Sequence, residues 1–141
     1  MPIKPENRDR YPANWKEIRE AILARAGNCC EQCKVENGTR IARGAGRFAD
    51  TYMRADAEVF DANTGESLGQ VRMSEYEVKN MVDIVLTIAH LDHVPENCAP
   101  ENLCAWCQRC HLRYDAQHHA ETARATRHSR KAMADLFDGE N

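Results

Sequence analysis

Long apolar segments are absent from this chain of 141 residues. Its longest run of isoleucine, valine and leucine is the tripeptide at residues 84–86, whereas a membrane-spanning helix needs about 20 apolar residues. The first ten residues are polar, so they also lack the apolar segment of a secretory signal peptide. These absences exclude the membrane-spanning class and predict a cytoplasmic protein, whose thiols stay reduced.

An excess of positive charge is lacking as well. The formal net charge is −3, which argues against a non-specific nucleic-acid binder. Residues 109–131 nevertheless hold six basic side chains against two acidic ones. The basic residues are Arg109, Arg113, Arg124, Arg127, Arg130 and Lys131. Such a strip is suited to phosphate contacts, although charge alone favours a solvated helix face. The candidate nucleic-acid contacts are Arg109, Arg113, Arg124 and Arg127.

Cysteine, by contrast, is frequent and paired. Two of the pairs, Cys30 with Cys33 and Cys107 with Cys110, have the C-x-x-C spacing, from which four thiolates can converge on one tetrahedral zinc ion. The odd total of seven cysteines and a reducing compartment favour zinc over a disulfide framework. Cys29 could replace its neighbour only in a register that loses this spacing. Cys98 and Cys104 are expected to be small buried residues.

The first segment predicts a helix. Asn14 followed by Glu17 has the pattern of a capping box, and Gly27 supplies a stop signal just before the first cysteine pair. One face of this helix repeats apolar residues, namely Trp15, Ile18 and Ile22.

The middle of the chain is less regular. Residues 34–57 are mixed and rich in glycine, so we expect a loop there. Residues 58–73 predict a hairpin that turns at residues 63–66. Ser74 with Glu77 is a second capping-box pattern, here for a short helix.

The C-terminal half predicts a strand, a loop, a second strand and a long helix. Apolar residues alternate through residues 82–89, the loop of residues 91–101 contains two prolines, and a short strand at residues 102–106 precedes a helix at residues 108–136. This order is expected to bring His90 and His111 within reach of each other. On the helix, Asp115 and His118 share a face with His111.

The run from Ala89 through His111 resembles the HNH endonuclease family, especially the small zinc-containing members found in phages, prophages and bacteria. Those members combine an N-terminal C-x-x-C pair with a later Asn-Leu, three residues, Cys-x-x-Cys-His. Here that motif reads from Asn102 to His111. The resemblance covers the pair at residues 30–33 and residues 84–115. Residues 36–82 lie outside it and resemble an insertion.

The resemblance implies a role for each motif residue. His90 is the general base that deprotonates water, Asn102 holds the loop that aims the base, and His111 binds the catalytic divalent ion. The four paired cysteines hold a separate structural zinc ion. Hydrolysis of a phosphodiester fits these roles, because a neutral histidine can accept a water proton and a divalent ion can stabilise charge at the phosphate.

One position departs from the family pattern. The residue before the base is usually a histidine or aspartate that binds metal, and here it is Ala89. Asp92 and Asp115 are the carboxylates best placed to complete the metal shell, and His93 is an alternative ligand or base. We prefer His90 as the base because Asn102 follows it by a step of twelve positions, which leaves room for the loop, whereas the step of nine positions from His93 is tight.

The sequence therefore predicts one α+β domain at residues 1–141 with a ββα-metal core. We expect the N-terminal helix and first cysteine pair at residues 12–35, an insertion containing a hairpin at about residues 36–82, and the core at about residues 83–136.

The predicted function is metal-dependent endonuclease cleavage of DNA, expected to be double-stranded, with Mg²⁺, Mn²⁺, Ni²⁺ or Zn²⁺ as the catalytic ion and without a membrane partner. The alternative is a catalytically inactive zinc-stabilised module for DNA binding or assembly, which Ala89 favours.

Overall fold

The computed structural model describes residues 9–138, apart from the side chains of residue 122 and residues 132–138. In this part of the chain, helices and two antiparallel sheets form the expected α+β structure. The elements are α1 (Trp15–Arg25), β1 (Arg40–Gly44), β2 (Thr51–Met53), β3 (Glu58–Asp61), β4 (Ser67–Gln70), β5 (Val78–Asp83), β6 (Thr87–His90), β7 (Leu103–Trp106) and α2 (Gln108–Asp138).

Helix α1 confirms the first predicted helix, which ends just before Gly27. The capping box is wrong: Asn14 makes no side-chain cap hydrogen bond, and its φ of −95° and ψ of 24° lie outside the extended conformation that a capping residue needs. Instead, the Pro12 carbonyl accepts the Trp15 backbone N–H at 3.0 Å. The first turn is therefore organised by the backbone.

The apolar face of α1 packs on the two-stranded sheet formed by β6 and β7. Ile22 is buried with Leu103 and Ala105, and Trp15 and Ile18 pack against this cluster. The predicted helix face is thus confirmed. Since β7 leads directly into the second cysteine pair, α1 supports the strand that positions those cysteines.

Residues 36–82 form more than an inserted hairpin. The hairpin of β3 and β4 is confirmed, but it belongs to a five-stranded sheet in the order β4-β3-β2-β1-β5. The prediction of a loop at residues 34–57 is wrong, because β1 and β2 lie within it. Strand β1 also pairs with β5, which is distant in sequence, as in the pairing of Ile41 with Val82, and local patterns do not reveal this partner.

Two further local predictions need correction. Residues 73–75 form only a turn of 3₁₀ helix, without a side-chain cap from the second capping-box pattern. The single strand predicted at residues 82–89 is two strands, β5 and β6, in different sheets. The alternation nevertheless persists across the break, because Ile84 and Leu86 are buried whereas Val85 is exposed.

The predicted order of strand, loop, strand and helix is confirmed by β6, β7 and α2. Strands β6 and β7 pair antiparallel, with His90 opposite Leu103. The chain divides into two compact units between Cys110 and His111, and each is described separately below. Within the described residues, no helix combines the length and apolar character that a membrane span requires.

Candidate functional site

Cys30, Cys33, Cys107 and Cys110 form a buried cluster. Their four sulfur atoms all lie within 4.8 Å of one another, and the Cys33 and Cys107 sulfurs are 3.6 Å apart. This distance is close to the edge of about 3.8 Å expected for a tetrahedron with zinc–sulfur bonds of about 2.3 Å. It is far too long for a disulfide bond, and all seven cysteines are free thiols.

Local backbone structure shapes the first cysteine pair. Lys34 adopts a positive φ of 67°, and its backbone N–H donates to the Cys30 carbonyl at 3.0 Å, closing a tight turn. The Cys30 backbone N–H donates to the Val35 carbonyl at 2.8 Å. This turn directs both sulfurs to one side, as the spacing predicts.

Glu31 joins the two cysteine pairs. Its backbone N–H donates to the Ala105 carbonyl at 2.8 Å, and its carboxylate accepts the Ala105 backbone N–H at 2.9 Å. The same carboxylate accepts a hydrogen bond from Arg25 at 2.7 Å. Because Ala105 lies on β7, two residues before Cys107, these bonds fix the distance between the first pair and the second.

The donor chemistry of the cluster suits a metal ion. The four sulfurs are soft ligands, and their closeness to one another fits a structural metal site. Cysteine binds metal as the thiolate. These four cysteines could therefore hold a metal ion, as their spacing in the sequence predicts. Cys29 lies beside the cluster without belonging to it.

Two residues near the cluster were not recognised from the sequence. Arg43, on β1, directs Nη2 to the Cys107 sulfur at 3.9 Å, and the Tyr52 hydroxyl, on β2, donates to the Cys33 carbonyl at 2.7 Å. Both belong to the segment predicted as a loop, and a loop prediction gives no direction for its side chains. Only recognition of the buried strands could have found them.

His90, at the end of β6, is held between aromatic and loop groups. Its ring stacks on Trp15 with centroids 5.2 Å apart and meets Tyr11 edge-on at 5.8 Å. Its Nε2 lies 3.7 Å from the Cys98 sulfur, which itself lies 3.3 Å from the Pro95 carbonyl. Cys98 and Cys104 are both partly buried, and Cys98 packs against the core cluster of α1 and β7, so the prediction that both are small buried residues is met in part.

The surroundings of His90 favour its neutral form. Burial lowers its pKa below the ordinary 6.5, and the negative charges of Asp92 and Glu96 oppose this shift only in part. The imidazole is therefore mainly uncharged at pH 7, the state in which it can accept a proton.

Asn102 holds the loop between β6 and β7. Its side-chain amide donates to Asp92 Oδ1 at 2.9 Å and to the Asn97 carbonyl at 2.8 Å. In return, Asn102 Oδ1 accepts the Asp92 backbone N–H at 3.2 Å, and the Asn102 carbonyl accepts the Leu91 N–H at 2.8 Å. These four bonds tie both ends of the loop together next to His90.

Asp92 is a loop residue whose carboxylate already has several donors. The Asn97 side-chain amide donates to Oδ2 at 2.8 Å, and the Val94 N–H and the Asn102 amide donate to Oδ1. These bonds lower the pKa of Asp92 to about 2, and the bond from Asn97 has the largest effect. The contacts indicate a role in holding the loop, in addition to the predicted role as a metal ligand.

Replacing Asp92 by Asn is expected to loosen this loop, because an amide has one acceptor oxygen where the carboxylate accepts three hydrogen bonds. Hydrogen exchange at the Val94 backbone amide should accelerate. In wild type, the stability of this loop should depend on the ionisation of Asp92 and therefore on pH. Since the folded pKa of about 2 lies below the ordinary 3.8, the stabilisation is complete above about pH 4 and is lost as pH falls toward 2.

Glu101→Gln is the matched control, since it removes an exposed carboxylate at the other end of the loop. It should leave the exchange of the Val94 amide unchanged. Equal exchange in wild type and Asp92→Asn would contradict the assigned role. A divalent-ion requirement that rises in Asp92→Asn, with unchanged exchange, would instead identify Asp92 as a metal ligand.

His93 lies in the same loop with a left-handed backbone, at φ 59°. Its backbone N–H donates to the His90 carbonyl at 3.0 Å, which forms a turn at the end of β6. This position directly follows the strand, so His93 stays an alternative base or ligand.

In the second unit, His111 and Asp115 lie one helical turn apart on α2. His111 Nε2 is 3.4 Å from Asp115 Oδ2, and both side chains are largely buried. The prediction that one helix face presents both groups is confirmed. A histidine nitrogen and a carboxylate oxygen at this separation can both contact a single divalent ion.

The arginines of the basic strip differ in their surroundings. Arg109 donates hydrogen bonds to the Ala62 carbonyl at 2.8 Å, to Asp50 at 2.9 Å and to Asn63 at 3.1 Å. These contacts give Arg109 a structural role, because they hold the first turn of α2 against the loop residues that flank β2 and β3. Further along α2, Arg113, Arg124 and Arg127 are exposed.

Comparisons with models of protein families, with curated proteins and with solved structures found no match to this chain.

Proposed function

We propose that this protein is a metal-dependent endonuclease that hydrolyses DNA phosphodiester bonds and is built on a ββα-metal core. The observation that carries the proposal is the loop between β6 and β7: it places His90 at a strand end and is tied together by Asn102. This is the arrangement that resemblance to the HNH family implies for its base and its asparagine. The cytoplasm is the proposed setting, since it keeps thiols reduced.

We further propose that the four-cysteine cluster holds structural zinc. Zinc suits four thiolates in a tetrahedron, and the site is closed by burial of all four cysteines. The cluster holds the start of α2 against the first cysteine pair. The ion would therefore stabilise the fold and take no part in the reaction.

His90 is the proposed general base. Its Nε2 faces Cys98 and the loop, so a proton on this nitrogen leaves Nδ1 as the acceptor. Stacking on Trp15 fixes the ring plane, and the lowered pKa keeps the ring neutral at pH 7. A positioned base of this kind contributes about 10²–10⁴-fold to the rate.

His111 and Asp115 are the residues that we propose to bind the catalytic ion. Mg²⁺, Mn²⁺, Ni²⁺ and Zn²⁺ are all candidates, since a nitrogen and a carboxylate oxygen accept each of them. When bound, such an ion supplies charge stabilisation for the phosphate and the leaving oxygen. The protein's own contribution is to hold the histidine and carboxylate ready, as their 3.4 Å separation supports.

DNA binding is assigned to one face of α2. At about 100° per residue, Arg113, Arg124 and Lys131 project from the same side of the helix, and Arg127 lies nearby. Arg124, Arg127, His128 and Lys131 also line one recess. This charged face suits the regularly spaced phosphates of a duplex, whereas the hydrogen bonds of Arg109 favour its structural role.

Replacing Arg113 and Arg124 by Gln is expected to weaken DNA binding and to reduce its salt dependence. Each lost phosphate contact should flatten the slope of log affinity against log salt by about one unit. Binding is measured by fluorescence anisotropy over a range of salt concentrations. Arg130→Gln is the control, because this side chain projects about 100–120° away on the same helix. Equal slopes in the double variant and wild type would place DNA elsewhere.

An inactive module for DNA binding or assembly is the second candidate. Ala89 favours it. In the HNH family this position usually supplies a metal ligand, whereas the methyl side chain of Ala89 has no atom that can bind metal. Ala89 is also buried, opposite Cys104 of β7. Incubation of purified protein with supercoiled plasmid separates the candidates. A nuclease converts the plasmid to nicked or linear DNA only with a divalent ion, whereas the inactive module binds the DNA without cutting it.

A further inference from the structure

Arg43 is a buried arginine on β1. Only 9% of its surface is exposed, and in the part of the chain that the structure describes no Asp or Glu forms an ion pair with it. Arginine keeps its positive charge in proteins, and an unpaired buried charge is strongly unfavourable. A negative group is therefore expected beside it.

The groups around Arg43 point to the four-cysteine cluster. Nη2 lies 3.9 Å from the Cys107 sulfur, and the guanidinium carbon lies 5.8 Å from the centre of the Tyr52 ring. Nη1 is buried and has no hydrogen-bond partner among the described residues. Tyr52 itself donates to the Cys33 carbonyl, so the aromatic ring and the guanidinium form one layer between the sheet and the sulfurs.

Charge explains why a cation belongs in this layer. Four thiolates around one divalent zinc ion carry a net charge of −2, which is unfavourable in a buried site. One guanidinium halves this charge, and its N–H groups stabilise sulfur lone pairs. Four neutral thiols would leave the arginine without any counter-charge. The burial of Arg43 therefore supports thiolates, and so a bound metal, at this cluster.

We propose that Arg43 is the counter-charge of the four-cysteine metal site and couples zinc binding to the five-stranded sheet. The proposal rests on the structural zinc proposed above and is independent of nuclease activity. Arg43 lies on β1, which pairs with both β2 and β5. One side chain thus joins the middle of the sheet to the metal site, which gives the 36–82 insertion a role in zinc retention.

The test compares zinc affinity in wild type, Arg43→Met and Arg43→Lys by competition with a chromophoric chelator. Met preserves the apolar stem without the charge, and zinc affinity should fall about 10–100-fold, as for other groups that support metal ligands. Lys keeps the charge and should recover part of this loss. Arg40→Met is the control, because Arg40 lies on the same strand but is exposed and pairs with Asp83 at 3.7 Å. Its affinity should equal that of wild type.

The absorption spectrum of the cobalt-substituted protein gives a second measurement, which a change in folding stability alone would not alter. In Co²⁺-loaded Arg43→Met, the sulfur-to-cobalt charge-transfer band should shift to lower energy, because the thiolates lose a neighbouring positive charge. Wild-type affinity and an unshifted band in Arg43→Met would overturn the proposal. If that variant does not fold, Arg43→Lys decides: it must bind zinc more tightly than an Arg43→Gln variant, and equal affinities would overturn the proposal. Wild type that binds no zinc would refute the structural zinc itself.

Discussion

Replacing Cys30 by Ser is expected to give an unfolded or insoluble chain, whereas replacing its neighbour Cys29 should leave a folded protein that retains zinc. A structural zinc site contributes on the order of 10 kcal/mol to folding, comparable with the whole stability of a small domain. A serine hydroxyl is a poor zinc ligand. Loss of the zinc ion would also release the second cysteine pair. Cys29 lies outside the cluster, so its sulfur has no such role.

Zinc content measured by mass spectrometry of the metal, together with circular dichroism, tests this expectation. Wild type and Cys29→Ser should each hold one zinc per chain and show the same thermal transition. A well-folded, zinc-free Cys30→Ser protein would contradict the structural role. A disulfide between Cys30 and Cys33 in protein purified without oxidant would contradict the metal site as a whole.

Replacing His90 by Ala is expected to reduce the rate of DNA cleavage by about two to four orders of magnitude. DNA affinity should change little, because the base acts in the transition state and the basic face of α2 lies elsewhere in the sequence. The wild-type rate should rise with pH and level off above the pKa of His90. Since burial lowers that pKa below 6.5, the plateau should begin at a lower pH than for an exposed histidine.

His93→Ala is the matched control, because it removes the neighbouring histidine in the same loop. It should keep most of the activity and the same pH profile. His111→Ala should be partly rescued by a higher divalent-ion concentration, since it weakens ion binding. An active His90→Ala beside an inactive His93→Ala would move the base to His93.

Local signals in the sequence located the cysteine pairs, the hairpin and the long helix. The C-x-x-C spacing needs only one turn to bring two sulfurs together, and the Asn63-Thr64-Gly65 turn determines the hairpin of β3 and β4. The bounds of α2 follow from a long stretch without helix breakers. Each of these features depends on residues close together in the chain, which is why sequence patterns suffice.

Long-range pairing accounts for what the sequence did not reveal. Strand β1 is stabilised by β5, about forty residues away, as in the pairing of Ala42 with Met81, and nothing near residues 40–44 indicates this partner. Across residues 84–86 the chain passes from one sheet to the other. The Val85 and Leu86 N–H groups there donate to side chains, Leu86 to Asn37 at 3.1 Å, while the alternation that predicted one strand continues.

Arg43 illustrates the same limit for the metal site. Its sequence context, Ile41-Ala42-Arg43-Gly44, contains no pattern of a metal-site residue. Its relation to Cys107 depends on β1, whose pairing with β5 joins segments that are distant in sequence. The ligands of the cluster could be predicted from spacing, but the group that neutralises them could not.

The measurement that tests the proposed nuclease most directly is the rate at which excess purified protein cleaves supercoiled plasmid, with wild type and His90→Ala compared side by side. Each protein is assayed with Mg²⁺, Mn²⁺, Ni²⁺ and Zn²⁺ and with a chelator, after its structural zinc content has been verified. We expect cleavage by wild type with at least one ion, none with the chelator, and a rate at least about 100-fold lower for His90→Ala. Folded, zinc-loaded wild type that binds the plasmid but leaves it intact with all four ions would contradict the proposal.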